Sequence, residues 1–377
     1  MYNVKCGADR FDYIEKLIRG KRCGLLTAAS GVDSKGIPTY FKLFEKQNLT
    51  VLFAPEHGIH SVLQDGGWGG GYTDKETGLP VYDLPAKGNP NIEAALALCD
   101  VVLYDIQDVG ARFYNYIYCL TYLMFECAKR KIPIIILDRP DPISGSLNSI
   151  SGAILDEEKY SSFVGKYAMP IRYSLTCAEF ARYINDSKRI GCDLHIVECL
   201  GWNRKIYADE TSLPWINPSP NIPSVNCAIN YIGTCLIEAT NVSEGRGTTR
   251  PFDIVGAPFV DSSKLCNAMN AYDLDGVFFS RAFFTPMFGK CQKEYCEGVQ
   301  INITDRYSYN PHKMGLCMIK ELSKFNGFEL KVPSMCLRYG NDAMSDIINF
   351  DPLKTFESEL EGIIKFRKEI APYLLYD

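Results

Sequence analysis

The chain has 377 residues, 46% hydrophobic and 23% charged, with a formal net charge of −5. That length supports two domains with buried cores, and the acidic balance excludes a nucleic-acid binder, which needs a basic footprint to release counterions. No apolar run approaches the roughly eighteen residues of a membrane span.

The first residues lack the apolar centre of a signal peptide, so the expected compartment is the cytoplasm, or outside the cell if a leader has been removed. Fifteen cysteines contain no Cys-x-x-Cys pair, and Cys291 with Cys296 has no second pair to complete a zinc site. They read as reduced thiols that fill core space.

Residues 23–29 read as a strand, 30–36 as a turn, and 38–46 as a helix with Tyr40, Leu43 and Phe44 on one face. Val51-Leu-Phe-Ala54 is a continuous apolar run, the mark of a strand buried on both faces of a parallel sheet. Pro55 has no N–H to extend the ladder, and Glu56, His57 and Gly58 follow where open α/β sheets bind their ligands. The glycine-rich stretch 66–72 carries Trp68 and Tyr72, either a stacking platform for a sugar or a lid with incidental aromatics.

A helix over 91–98 leads to a strand over 100–106, which places Asp105, Asp108 and Arg112 at a second strand end. The apolar stripe of 113–130 is a core helix. Residues 133–139 form a third buried strand ending in Asp138 and Arg139, after which Pro140-Asp-Pro142 turns the chain away. Neighbouring parallel strands point the same way, so these three charged ends converge on one rim. A network of ion pairs would account for Asp138 and Arg139 equally well.

A strand is expected near 170–174, and Thr176 with Glu179 forms a capping box that opens a helix reaching about residue 185. His195 alternates with apolar neighbours in a strand over 193–198 and reads as structural. Four prolines between 213 and 223 impose a rigid path that walls a cleft or links domains. Beyond a helix over 228–239, Glu244 and Arg246 offer an acid and an anion clamp, with glycines on both sides of Arg246. The remainder reads as a helix over 263–272, strands over 276–281 and 298–303, a helix over 314–325, and helices after Asn341 and Asp351. The fold class expected is α/β, with a doubly wound, mostly parallel sheet in residues 1–228 and a smaller α+β domain in 229–377.

Six strings in fixed order carry a resemblance: residues 53–58 (Phe-Ala-Pro-Glu-His-Gly), 77–82, 105–114 (Asp-Ile-Gln-Asp-Val-Gly-Ala-Arg-Phe-Tyr), 137–145, 213–223 and 240–249 (Thr-Asn-Val-Ser-Glu-Gly-Arg-Gly-Thr-Thr). Together they resemble the NamZ-type exo-β-N-acetylmuramidases over essentially the whole chain. The resemblance implies a Rossmann-like N-terminal domain, a smaller C-terminal domain and a cleft between them. It also implies release of N-acetylmuramic acid from the non-reducing ends of peptidoglycan fragments, with muramyl saccharides as partners and no cofactor or metal. The family's Pro-Glu-His-Gly glutamate falls on Glu56, its Ser-Glu-Gly-Arg-Gly segment on Glu244 and Arg246, and its Asp-x-Gln-Asp-x-Gly-x-Arg segment on Asp105, Asp108 and Arg112. The chain departs from the family pattern at His60, where an arginine is usual, and in the stretch 66–72.

Glycoside hydrolysis needs an acid at the leaving oxygen and a second group at the anomeric carbon. Glu56 is expected as the acid with His57 orienting it, and Glu244 as the second carboxylate, with Asp105 or Asp108 as substitutes. The substrate's own acetamido group is the alternative nucleophile. Arg246 or Arg112 would hold the lactyl carboxylate, and Asp138, Arg139, Trp68 and Asn221 complete the expected binding set. Two other readings compete, a non-catalytic muropeptide-binding protein and a metal hydrolase built on Glu56, His57 and His60. The latter lacks helical His-Glu-x-x-His spacing. A dinucleotide enzyme is disfavoured because no Gly-x-Gly-x-x-Gly joins a strand to a helix near the start.

Overall fold

The computed structural model describes residues 1–64, 71–84 and 88–377. Seven strands, β1 (Cys23–Thr27), β2 (Leu49–Ala54), β3 (Tyr72–Thr73), β4 (Pro80–Asp83), β5 (Val101–Asp105), β6 (Ile134–Leu137) and β7 (Leu194–Val197), form one sheet in the order β3-β4-β2-β1-β5-β6-β7. All adjacent pairs are parallel except β3 with β4 at one edge.

The apolar runs follow from burial on both faces. Leu26, Val51, Phe53, Val102, Tyr104, Ile134 and Ile136 join one core, while Leu25, Leu52, Leu103, Ile135 and Leu137 join the other. Alternate residues of a strand point to opposite faces, so a strand covered on both sides must be apolar throughout.

Helices α1 (Phe11–Ile18) and α2 (Thr39–Glu45) contribute Ile14, Ile18, Tyr40 and Leu43 to the smaller core. On the other face, α3 (Ile92–Leu96), α4 (Tyr116–Arg130) and α6 (Cys177–Ser187) supply the larger one, with the short α5 (Glu157–Tyr160) lying between α4 and α6 in the chain. The Thr176–Glu179 capping box forms as expected: Glu179 N–H donates to Thr176 Oγ1 at 3.2 Å, and Thr176 N–H donates to Glu179 Oε2 at 3.0 Å. The expected strand at 170–174 is not one. Arg172 makes single antiparallel bridges to Ala111 and Ser151, outside both sheets, and its buried guanidinium donates to the Ile143 carbonyl.

Helix α7 (Val225–Thr234) runs into a 3₁₀ turn (Cys235–Ala239). Beyond it lies a second, antiparallel sheet of β8 (Ile254–Ala257), β9 (Val277–Phe284) and β10 (Cys296–Ile303), in the order β8-β10-β9. Around it are α8 (Ser262–Asn270), α9 (Pro311–Leu322), α10 (Val332–Tyr339), α11 (Pro352–Ser358) and α12 (Leu360–Ile370). The helix expected after Asn341 lies before it, as α10. Pro333 stands in its first turn and Gly340 ends it in the left-handed conformation. The architecture is α/β with a smaller second domain built on the antiparallel sheet.

All fifteen cysteines are free thiols, and all but Cys266 and Cys291 are buried. Among the described residues no helix is long and apolar enough to cross a membrane.

Candidate active site

The chain leaves β2 through Pro55 into a tight turn. His57 takes φ 75° and Gly58 φ 78°. A non-glycine residue in the left-handed region costs on the order of 1–3 kcal/mol and persists only where its surroundings hold it. The holding contact is from His57 Nδ1 to the Leu63 carbonyl at 2.6 Å. A carbonyl only accepts, so Nδ1 is the donor of this contact. The ring also meets Tyr116 edge-on at 6.2 Å.

Glu56 and His57 line a cavity of about 340 Å³. Asn115 donates through Nδ2 to Glu56 Oε2 at 2.5 Å. Asn115 stands at the N-cap of α4, yet its side chain makes no capping bond. Asparagine at that position ordinarily serves the first turn of its helix; here the amide is diverted to a carboxylate. Tyr114 and Tyr116, whose rings tilt together at 4.4 Å, continue this wall. The proline-rich segment supplies Ser219, Asn221 and Ile222, and the Pro218 carbonyl accepts from Tyr116 at 3.2 Å and Ser61 at 3.3 Å. Asn221 Nδ2 donates to Gln64 at 3.2 Å. Phe163, about half exposed, lines the cavity as well.

The second domain contributes charge. Glu238, Arg246, Lys290 and Arg338 all line the cavity. Arg246 Nη2 meets Glu238 Oε1 at 2.5 Å and Arg338 Nη2 meets Glu238 Oε2 at 2.7 Å, so each carboxylate oxygen has its own guanidinium. Burial pushes the Glu238 carboxyl up, but the two arginines outweigh it and hold the group below its ordinary value. The Arg246 guanidinium also lies over Phe252, 5.0 Å from the ring centre. Lys290 donates to the Ile237 and Val242 carbonyls, both at 2.8 Å.

Of the residues expected from the sequence, Glu56, His57, Asn221 and Arg246 meet at this cavity. Glu244 does not line it. Its carboxylate lies 2.8 Å from Lys290 and 3.7 Å from Arg246. Asp105 and Arg139 pair with each other in the core, where Arg139 Nε donates at 2.7 Å and Thr39 donates to the other oxygen at 2.6 Å. Their strand ends do converge, at the point where the sheet's order reverses between β1 and β5. The opposed charges satisfy one another there instead of facing a ligand. Burial raises the Asp105 carboxyl against the pull of Arg139 and Thr39.

Asp108 accepts from Tyr173 and from the Gly110 N–H, and burial lifts it to about 6. Asp138 accepts from the Ala178 N–H at 3.0 Å and from Tyr376 at 2.6 Å. Arg112 is fully buried and donates only to main-chain carbonyls. None of Asp105, Asp108, Arg112, Asp138 or Arg139 is a cavity-lining residue. Trp68 lies outside the described residues, and Tyr72 pairs with Val81 in β3. His60 turns to Asp74 at 3.4 Å, away from His57's partner, so the two imidazoles do not converge as a metal pair would. His195 is half exposed on the edge strand β7, not packed in the core.

Asn115, Glu238, Lys290 and Arg338 escape a reading of the sequence because each acts through a partner distant in the chain. Asn115 alone had a local signal, an N-cap residue preceded by two aromatics.

The chain matches the family model described as exo-β-N-acetylmuramidase NamZ, N-terminal, over residues 23–226, and the corresponding C-terminal model over residues 229–376. It is 40% identical over 390 residues to the peptidoglycan β-N-acetylmuramidase NamZ of Bacillus subtilis strain 168, with 99% of this chain and 91% of that protein covered. The crystal structure of a DUF1343 family protein from Bacteroides fragilis NCTC 9343 matches with a TM-score of 0.89 at 30% identity, over 100% of both chains. A second DUF1343 family protein from that organism gives a TM-score of 0.79 at 28% identity, over 100% of this chain and 99% of the other. With the cavity, its carboxylate and its cationic wall in place, these likenesses establish that the chain belongs to the NamZ family of exo-β-N-acetylmuramidases, glycoside hydrolases of peptidoglycan.

Proposed function

We propose that this chain releases N-acetylmuramic acid from the non-reducing ends of peptidoglycan fragments, with Glu56 as the proton donor. The observation that carries this reading is a buried carboxylate held by an amide in a cavity that three cationic side chains also line. The volume of about 340 Å³ lies near the lower end of the range of about 300–1,000 Å³ for ligand pockets. It suits one sugar unit bound at a chain end.

The Asn115 amide donates to Oε2 of Glu56, and in this reading the Glu56 carboxyl supplies the acidic proton. From there it passes to the glycosidic oxygen as the bond to the anomeric carbon breaks. Glu238 is the other cavity-lining carboxylate among the described residues, and both of its oxygens are committed to arginines. A carboxylate so engaged is a weak base and a weak nucleophile. The substrate's acetamido oxygen is therefore the attacking group. It closes an oxazolinium ring on the anomeric carbon, and water opens that ring while Glu56 takes the water's proton. Lys290, Arg246 and Arg338 provide the setting for the lactyl carboxylate that separates muramic acid from glucosamine. Such fragments would be met in the cytoplasm after import, and recovery of the protein from culture medium would remove that assignment.

The direct test is Glu56→Gln assayed on a chromogenic β-N-acetylmuramide. General acid catalysis contributes on the order of 10²–10⁴-fold, and a loss of that size in kcat is expected; near-wild-type turnover would take Glu56 out of the mechanism. Binding of the muramide by the wild type with no sugar released would favour a binding protein instead. The stereochemistry of the first product, followed by NMR, tests the acetamido step: retention supports it and inversion refutes it.

A further inference from the structure

Arg112 is a buried cation with no acidic partner in an ion pair among the described residues. Its guanidinium is instead surrounded by main-chain carbonyls. Nη1 donates to Ala153 at 2.6 Å and Met169 at 2.7 Å, both in the larger domain. Nη2 donates to Arg338 at 2.7 Å and Tyr339 at 2.8 Å, the last residues of α10 in the smaller one. The unpaired carbonyls at a helix's carboxyl end carry partial negative charge, which a cation complements. The Asp156 N–H adds a neighbouring tie, to the Gly340 carbonyl at 2.8 Å.

Both sides of this joint lead into the cavity. Immediately after Arg112 come Phe113, Tyr114, Asn115 and Tyr116, all cavity-lining, with Asn115 on Glu56. On the other side Arg338 carries the side chain that clamps Glu238. One guanidinium thus ties the wall bearing the acid to the wall bearing the cations.

We propose that Arg112 is a positioning residue that sets Arg338 in register with Glu56 and Asn115, and through Arg338 sets the preference for a sugar bearing a carboxylate. This rests on the reading of Arg338 as part of the carboxylate subsite. Gly340 offers an independent way to disturb the same joint. It holds φ at +100°, and a Cβ there would stand 2.9 Å from Arg112 Nη2 and 3.0 Å from the Leu155 Cα.

The test is calorimetric titration of N-acetylmuramic acid and of N-acetylglucosamine into the wild type, Arg112→Gln, Arg112→Lys, Gly340→Ala, Arg338→Gln and the Arg112→Gln/Arg338→Gln double variant. Arg112→Gln, Gly340→Ala and Arg338→Gln should each lower the muramic-to-glucosamine affinity ratio about tenfold, while Arg112→Lys keeps part of it. The double variant should lose no more than Arg338→Gln alone, because Arg112 acts through Arg338. If Arg112→Gln does not fold, Arg112→Lys and Gly340→Ala carry the measurement. An unchanged ratio in the folded variants, or fully additive losses in the double variant, overturns the proposal. A wild type that shows no preference overturns it as well. A wild type that binds muramic acid selectively but releases no sugar from a muramide leaves the joint standing and removes the hydrolase reading.

Discussion

Asn115 gives up the cap of its own helix to hold Glu56. A hydrogen bond to a charged or acidic group is worth about 1.5–3 kcal/mol, so Asn115→Leu should lower kcat by roughly 10–100-fold. Leaving the buried carboxylate short of a donor should also cost about 1–3 kcal/mol of stability, so kcat is compared at a temperature where both proteins are folded. Wild-type kcat in the folded variant would mark Asn115 as a structural residue. Asp141 supports a second prediction. Burial, helped by the nearby Asp108 carboxylate and opposed by Arg172, raises Asp141 to about 7. A carboxyl raised on folding binds more protons in the native state than in the unfolded one between about pH 4 and 7, so its contribution to stability falls as pH rises through that window. Asp141→Asn keeps the side-chain oxygen that accepts from the Ile143 N–H and removes the titration. Its plot of unfolding free energy against pH should therefore be shallower than the wild type's. Parallel plots would remove Asp141 as the source.

At the scale of elements, β2 was legible because burial on both faces requires an unbroken apolar run, and Pro55 marks where it must stop. The capping box of α6 was legible because its two partners stand three residues apart. Helix α10 was harder to place. Its stop is a left-handed Gly340, and only the Pro333–Gly340 spacing announces it. The crossing of α7 with α9 lies outside any local pattern. A Cβ on Gly315 would stand 2.6 Å from the Gly233 Cα, backbone against backbone, so the helices meet where neither carries a side chain. Gly315→Ala should destabilise the protein by about 1–3 kcal/mol through overpacking, read as a lower denaturant midpoint. An unchanged midpoint would show that the helices part without cost. Helix α7 runs directly into the turn that bears Glu238, so the same variant should also weaken muramide binding.

Across the whole molecule, the last residues of the chain return to the first sheet. Tyr376 donates to Asp138 at 2.6 Å at the end of β6, accepts from the Cys199 N–H at 3.0 Å, and meets Trp202 edge-on at 5.1 Å. Burial raises Asp138 to about 7, with the Tyr376 hydroxyl pulling the other way. Tyr376→Phe leaves a buried carboxyl short of a partner and should cost about 1–3 kcal/mol of stability. Glu56 lies in a different region, so kcat should be unchanged at a temperature where both proteins are folded. A stability equal to wild type would mean that the tail does not hold Asp138 in solution.

The buried strands β1, β2, β5 and β6, the residue at the end of β2, and the family were legible in the amino-acid sequence, because they depend on neighbours a few positions apart and on long strings in fixed order. Which charges meet was decided by the tertiary structure. Asp105 and Arg139 satisfy one another 34 residues apart, and Arg112 reaches carbonyls 226 and 227 residues away. An ionisable side chain shows its type in a sequence, but its partner depends on which distant segments the folded core brings within about 3 Å. That dependence on distant segments is why Arg246 stands at the cavity wall while Arg112 is buried against main-chain carbonyls.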